Sequence, residues 1–252
     1  MNGTIYYFSG TGNSLSAAKQ IAEKMECKTN LLPIKNLIKN DEVEIIENVL
    51  GFVFPVHYLS APETIKKFIE RINFKSSPYI FAVATCNSVS GGCVFELREL
   101  LAKRGQQLSA GFTVVMPGNA KINTPEEQEQ KLIASKKRFV EISDYINRRN
   151  FGNFEGIDMK YEDIPKDQQV YISPDMFWSN QDCSSCGTCS KVCPSNNICL
   201  SEAGKPVWGS NCTTCFACFH WCPRNSVKIG QFSSGMPQYH NPEISLVELI
   251  DK

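Results

Sequence analysis

Eight of the twelve cysteines stand in two runs of the same spacing: Cys183, Cys186, Cys189 and Cys193 before Pro194, then Cys212, Cys215, Cys218 and Cys222 before Pro223. Each thiol of the second run follows its counterpart by 29 positions (212 − 183 = 222 − 193 = 29). Three thiolates at two-residue gaps can close around one face of an iron–sulfur cube, while the fourth, placed before a proline that turns the chain away, is carried to another cube. The runs therefore predict two [4Fe-4S] clusters, one on Cys183, Cys186, Cys189 and Cys222 and one on Cys212, Cys215, Cys218 and Cys193. The competing readings are a pair of zinc knuckles and a disulfide framework. Zinc closes on four ligands in well-separated pairs and needs no such run, and disulfides require an oxidising compartment.

A second chemical signal is Ser9-Gly10-Thr11-Gly12-Asn13-Ser14, between a strand pattern and a helix pattern. A phosphate monoester can be held there without a lysine. The hydroxyls of Ser9, Thr11 and Ser14 and the free amides of the helix N-terminus supply donors, and the helix dipole favours the anion. The loop spells neither G-x-x-x-x-G-K-[ST] nor G-x-G-x-x-G, which disfavours a nucleoside triphosphate and a dinucleotide. Plain helix capping is the simpler alternative for so short a turn.

These groups need elements to position them. Strand and helix signals alternate five times over residues 1–150, which predicts a parallel sheet covered on both faces. The strands are expected at Thr4–Ser9, Lys28–Pro33, Val49–Val56, Tyr79–Thr85 and Gln107–Met116. Between them Leu15, Ala18, Ala22 and Met25 recur at helical spacing, as do Ile65, Phe68, Ile69 and Ile72, then Leu97, Leu100 and Leu101, then Leu132, Phe139, Ile142 and Ile146. Thr124-Pro125-Glu126-Glu127 spells a capping box for the last helix. The stretch 34–46 is too short and polar to assign. Residues 151–181 break the period and read as a partly packed linker; 182–230 form the cluster domain, with a hairpin from Ile198–Leu200 to Pro206–Trp208. Residues 231–252 read as a Ser/Gly-rich tail in which Asn241-Pro242-Glu243 opens a short helix.

With 26 basic and 26 acidic residues the chain has no net charge, which argues against a nucleic-acid partner. The balance hides a split: residues 1–150 carry 19 Lys+Arg against 15 Asp+Glu, and 151–252 carry 7 against 11, so the parts are +4 and −4. No apolar run approaches a membrane span, and the N-terminus lacks the regions of a signal peptide, so a cytoplasmic protein is expected. Thiols kept reduced for iron agree with that and point to an anaerobic setting. Cys27 and Cys199 read as small buried residues, Cys86 and Cys93 as unpaired thiols beside a loop, and Trp208 and Trp221 as packing.

Ser9-Gly10-Thr11-Gly12-Asn13-Ser14 after a first strand resembles the FMN-phosphate loop of flavodoxins, and the five alternating units resemble their doubly wound α/β fold, strand order 2-1-3-4-5. The eight cysteines with their prolines resemble bacterial dicluster ferredoxins, small α+β domains. The whole is similar to the flavodoxin–ferredoxin fusion proteins of anaerobes. That resemblance implies FMN in residues 1–150, flanked by Pro55, Val56, His57 and Tyr58 after the third strand and by Thr85, Cys86, Asn87, Gly91 and Gly92 after the fourth. The second loop offers no aromatic to the ring, which leaves one face open; His57 or Tyr58 would cover the other. No Ser-His-Asp set, carboxylate pair or second nucleotide motif is present. The expected role is electron transfer between FMN, two [4Fe-4S] clusters and separate redox partner proteins. The alternative is an oxidoreductase acting on a small organic or nicotinamide substrate; a redox-responsive regulatory module would need a partner surface that the sequence does not display.

Overall fold

The computed structural model describes residues 2–40, 42–170 and 172–250. Its first part runs β1 (Asn2–Tyr7), α1 (Asn13–Lys24), β2 (Lys28–Pro33), β3 (Val43–Ile45), β4 (Val49–Pro55), α2 (Glu63–Glu70), β5 (Ile72–Phe74), β6 (Tyr79–Cys86), α3 (Cys93–Lys103), β7 (Leu108–Val115) and α4 (Pro125–Asn147). Five strands form one sheet in the order β2-β1-β4-β6-β7, every pair parallel. Counting those strands alone, the order is the expected 2-1-3-4-5 of the flavodoxin-like fold. The stretch left unassigned from sequence holds β3, which pairs with β5 in a separate parallel ribbon.

Central strands β4 and β6 are buried on both faces and so read as continuous apolar runs, whereas edge strand β2 alternates. From β1 the chain winds one way to β2, and from β4 the other way to β6 and β7. Right-handed crossovers therefore put α1 on one face with α4, and α2 on the other with α3. β1 leaves the ladder after Tyr7, two residues earlier than expected, although the Phe8 amide still donates to the Val53 carbonyl at 3.0 Å. The capping box of α4 is present: Glu127 N–H donates to Thr124 Oγ1 at 3.3 Å, and Thr124 N–H to Glu127 Oε2 at 2.9 Å.

The second part contains β8 (Phe177–Ser179), α5 (Thr188–Val192), β9 (Ile198–Leu200), β10 (Pro206–Trp208), α6 (Ala217–His220), β11 (Val227–Ile229) and α7 (Leu246–Ile250). β9 and β10 pair antiparallel, Leu200 opposite Pro206, as the hairpin reading expects. The 29-residue repeat extends to the backbone. Ser185, Gly187 and Asn196 have φ of 58°, 74° and 49°, and their counterparts Thr214, Phe216 and Asn225 have 50°, 60° and 46°. Left-handed residues turn a chain sharply, so both runs bend at the same places.

Linker and tail are held by specific contacts, and two expectations differ in the structure, the start of the tail's helix and the burial of Cys27 and Cys199. The linker is tied along the sheet edge: Gly111 N–H donates to Asn153 O at 2.8 Å, Glu155 N–H returns to Gly111 O at 3.0 Å, and the Glu155 carboxylate accepts the Thr113 amide at 2.9 Å and pairs with Arg138. Its end supplies β8, which pairs with β11. The tail lies against α1, where Lys19 meets Glu248 at 2.5 Å and Ser16 Oγ donates to Glu243 at 3.2 Å. Its helix begins at Leu246, capped by Ser245, because Asn241 is buried against the first part instead. Cys199 is exposed on a strand of a two-stranded ribbon, and Cys27 is half-buried in the bend just before β2. One core cluster joins residues from the sheet with Val192, Cys215, Ala217, Trp221, Ile244 and Leu249. Among the described residues no helix is long and apolar enough to cross a membrane.

Candidate functional site

At the C-terminal ends of β1, β4, β6 and β7 lies a cavity of ≈ 290 Å³. Open parallel sheets bind ligands at this edge, where the strand order reverses. The cavity gathers Ser9, Gly10, Thr11, Asn13 and Ser14 with Pro55, Val56, His57, Tyr58, Thr85, Cys86 and Asn87. Gly12, Gly91 and Gly92 do not line it. Gly91 is packed under the first flanking loop, where an added Cβ would come within 2.3 Å of Leu59 O, and the Gly92 amide donates to Met159 O at 3.0 Å. Gly12 faces the C-terminal segment.

The loop after β1 supplies what an anion needs. The backbone amides from Gly10 to Ser14 have no hydrogen-bond acceptor among the described residues. Ser9 Oγ accepts the Leu15 amide at 3.3 Å, which leaves its own proton for a ligand, and Ser14 Oγ bonds Thr85 Oγ1 at 2.8 Å. These groups stand at the N-terminus of α1, where the dipole favours negative charge. Asn13 is different: its side chain is consumed internally, by Pro117 O, Tyr239 Oη and Asn241 Nδ2.

The sequence reading missed three contributors to this cavity. Met116–Lys121, the loop after β7, lines it, as do Tyr161 and Ile164 from the linker and Cys215 from the second cysteine run. The turn residues Pro117-Gly118-Asn119 after the last strand were the available signal for the first. Tyr161 meets Tyr58 edge-on with centroids 5.0 Å apart, so the cover over this side is a pair of tyrosines from distant segments. Tyr58 and Leu59 take left-handed φ of 50° and 60°, which turns the loop back and sets the His57–Ser60 bridge. Both ring nitrogens of His57 are shut from solvent and make no hydrogen bond of good geometry, only a weak approach to the Thr213 backbone, although the residue as a whole is half-buried. Burial pushes its pKa down to about 4, against weaker opposing help from the Thr213 backbone. Burial also raises the Cys86 thiol to about 11 and Cys93 to about 12. Neither is a thiolate near neutral pH.

The eight run cysteines surround two further, small cavities. Cys183, Cys186, Cys189 and Cys222 line one; Cys193, Cys212, Cys215 and Cys218 line the other. Cys222 of the second run thus stands beside thiols of the first, and Cys193 of the first beside thiols of the second. Burial raises the Cys189 thiol to about 11, against a hydrogen bond from the Ser190 backbone and with lesser upward pushes from Cys186, Cys222 and Cys183; burial also raises Cys218, with lesser pushes from Cys215, Cys193 and Cys212. The equivalent amides of Asn197 and Ser226 donate to Cys193 Sγ at 3.3 Å and Cys222 Sγ at 3.2 Å. Such bonds favour thiolate. Among the described residues no three His, Cys, Asp or Glu side chains are grouped to hold a single metal ion.

The second cage abuts the first cavity. A Cβ added to Gly10 would lie 3.1 Å from Cys215 O and 3.6 Å from Cys215 Sγ. Trp221 Nε1–H donates to Gly10 O at 2.9 Å, Asn119 Nδ2 to Cys215 O at 3.0 Å, and Thr214 Oγ1 bonds Tyr58 Oη at 3.3 Å. His220 sits between Asn119 O at 2.8 Å and the Tyr239 amide at 3.1 Å. Because Nδ1 accepts that amide, Nε2 carries the proton, and the ring is a neutral bolt rather than a ligand. Burial lowers its pKa to about 4.

No protein-family model and no curated protein matches the chain. Among solved structures it is similar to Trp repressor binding protein from Bacillus subtilis (16% identity, 54% of this chain and 96% of that one, TM-score 0.36). It is also similar to an FMN-dependent NADH-azoreductase from Bacillus anthracis in complex with FMN (10%, 58% and 100%, TM-score 0.40) and to a flavodoxin from the domain Archaea (12%, 58% and 99%, TM-score 0.34). Each likeness spans little more than half of the chain. The flavodoxin-like class of the first part follows from its strand order and crossovers.

Proposed function

We propose that the chain is an electron-transfer protein that holds one FMN in the cavity at the sheet edge and one [4Fe-4S] cluster in each thiol cage, and that exchanges electrons with separate redox proteins. The observation that carries this reading is Cys215, which lines both the cavity and the second cage. FMN supplies exchange between two-electron and one-electron chemistry, and the cubes supply single-electron steps. Ser9, Thr11, Ser14 and the amides of their loop would hold the phosphate. The loops Pro55–Tyr58 and Thr85–Asn87 would edge the ring, Tyr58 and Tyr161 would shield it, and Gly91 and Gly92 would set the loop from beneath. The cluster cysteines divide as four and four. The surface around Cys186, an exposed thiol of the first cage, is where an outside partner could approach. Anaerobic purification tests the reading: one FMN and eight irons per chain are expected, with a flavin spectrum on a broad iron–sulfur band. Zinc in the cages, or FAD as the released flavin, would sink it.

One observation favours the alternative, direct action on a small organic or nicotinamide substrate. A mainly apolar cavity of ≈ 320 Å³ adjoins the first, sharing Val56, His57 and Tyr58 with it and adding Val170, Phe216 and Phe232. Turnover of NADH or NADPH by the purified chain would favour the enzyme; a carrier should oxidise neither.

A further inference from the structure

We infer that Tyr239 and Asn241, in the C-terminal segment, are positioning residues for the phosphate-binding loop, so that affinity for the flavin's phosphate is set from outside the strand–helix unit that carries the loop. This rests on the reading that the cavity holds FMN.

The loop is gripped from behind. Asn13 Oδ1 accepts both Tyr239 Oη–H at 2.8 Å and Asn241 Nδ2–H at 3.0 Å, and all three residues are buried. Asn241 N–H donates to Thr11 O at 2.8 Å. Between these contacts Gly12, at φ 94°, leaves no room: a Cβ there would lie 3.1 Å from Ile244 Cβ and 3.2 Å from Asn241 Cβ. Trp221 pins Gly10 O in the same way at 2.9 Å.

In a trans peptide the carbonyl and the following amide point in opposite directions, and this chain has no cis bond among its described residues. Pinning Gly10 O to Trp221 therefore aims the Thr11 amide away from the C-terminal part. Pinning Thr11 O to Asn241 does the same for the Gly12 amide. Those amides lack acceptors in the protein, and pre-aimed donors bind an anion without an ordering cost at the moment of binding. Asn13 holds the first residue of α1 in register with them. None of these contacts reaches the parts of the cavity formed by Pro55–Leu59 or Thr85–Val89, so the effect should fall on the phosphate and not on the ring.

The test compares FMN with riboflavin, which differs only in lacking the phosphate, on the full iron-loaded chain stripped of flavin. Asn241→Ala removes the side-chain hydrogen bond to Asn13, along with the one that Asn241 Oδ1 accepts from Glu243 N–H, while the backbone bond to Thr11 O stays; with one bond to the loop lost at roughly 1 kcal/mol, FMN should weaken about fivefold. Riboflavin affinity should change less than about twofold. Tyr239→Phe removes one hydroxyl, keeps the packing, and should move FMN in the same direction by less. Iron per chain should stay at the unmodified value, which separates positioning from unfolding. Lys19→Ala breaks the ion pair to Glu248 on the same segment and should leave FMN affinity unchanged. Unchanged FMN affinity in both Asn241→Ala and Tyr239→Phe overturns the inference, as does equal weakening of FMN and riboflavin. Failure of the unmodified chain to bind FMN at all would instead remove the proposed function, and this inference with it.

Discussion

The two cysteine runs share spacing, left-handed turns and amide-to-sulfur bonds, but their surroundings differ. In the first cage Cys186 is exposed and Cys183 half-buried, and the Thr188 hydroxyl holds the Cys186 thiol below its ordinary range. In the second, Cys215 and Cys218 are buried and burial drives both thiols up. The reason is the neighbour. The first cage is closed by its own small hairpin and faces solvent, whereas the second is pressed on the loop after β1. Buried thiols resist ionisation, so the second cage should form only when a cation's charge offsets desolvation. Identical ligand sets can thus be made inequivalent by what packs outside them, which suits an inner and an outer station.

The sharpest way to break this comparison is to remove one ligand from each side. Cys215→Ala should lower iron by about half and also release FMN, because that residue supports both sites; Cys186→Ala should cost the same iron and keep the flavin. Flavin and iron per chain, measured on both variants, decide it: equal flavin loss would make the cages equivalent. Next in size is the crossing itself. Cys222→Ala should disturb the cluster spectrum of the Cys183, Cys186 and Cys189 set while the set with Cys193 persists, as read by low-temperature EPR of the reduced protein. Selective loss of the nearer set would contradict the assignment.

The smallest expected effect concerns His57, whose loop faces the second cage. Its folded pKa of about 4 lies below the ordinary 6.5, so between those values the unfolded chain binds more protons than the folded one. Stability contributed by the neutral ring is therefore full above pH 6.5 and falls as the pH drops toward 4, by roughly 2 kcal/mol at pH 5. His57→Phe should flatten that dependence. Denaturation midpoints at pH 7 and pH 5, taken for variant and parent, would show it; identical slopes would mean the ring is solvated.

Much of this was legible because local rules and global packing agree. Continuous apolar runs place β4 and β6 in the middle of a parallel sheet, Thr124 and Glu127 start α4, and the 29-residue offset pairs the thiols and also predicts where the backbone turns. Asn241 and Tyr161 were not legible in the same way. Tyr161 lies in a segment without period or motif and Asn241 in one whose only signal was a helix start, and each gains its place through partners far away in the chain, Asn13 at a separation of 228 and Tyr58 in the first flanking loop. Cys199 misled for the opposite reason: its residue type suggests burial, but a three-residue strand in a two-stranded ribbon has too little cover to provide it.

By itself the sequence determined the donors and their grouping: eight thiols in two sets, a Ser/Gly turn ahead of a helix, and a strand order that follows from alternating apolar segments and right-handed crossovers. Ligand spacing and hydrophobic period are local properties, readable a few residues at a time. Only the tertiary structure decided which thiol set meets the sheet, what closes the cavity, and that the C-terminal segment grips the loop after β1. Those depend on shape and burial between surfaces more than a hundred residues apart, and no local pattern encodes them.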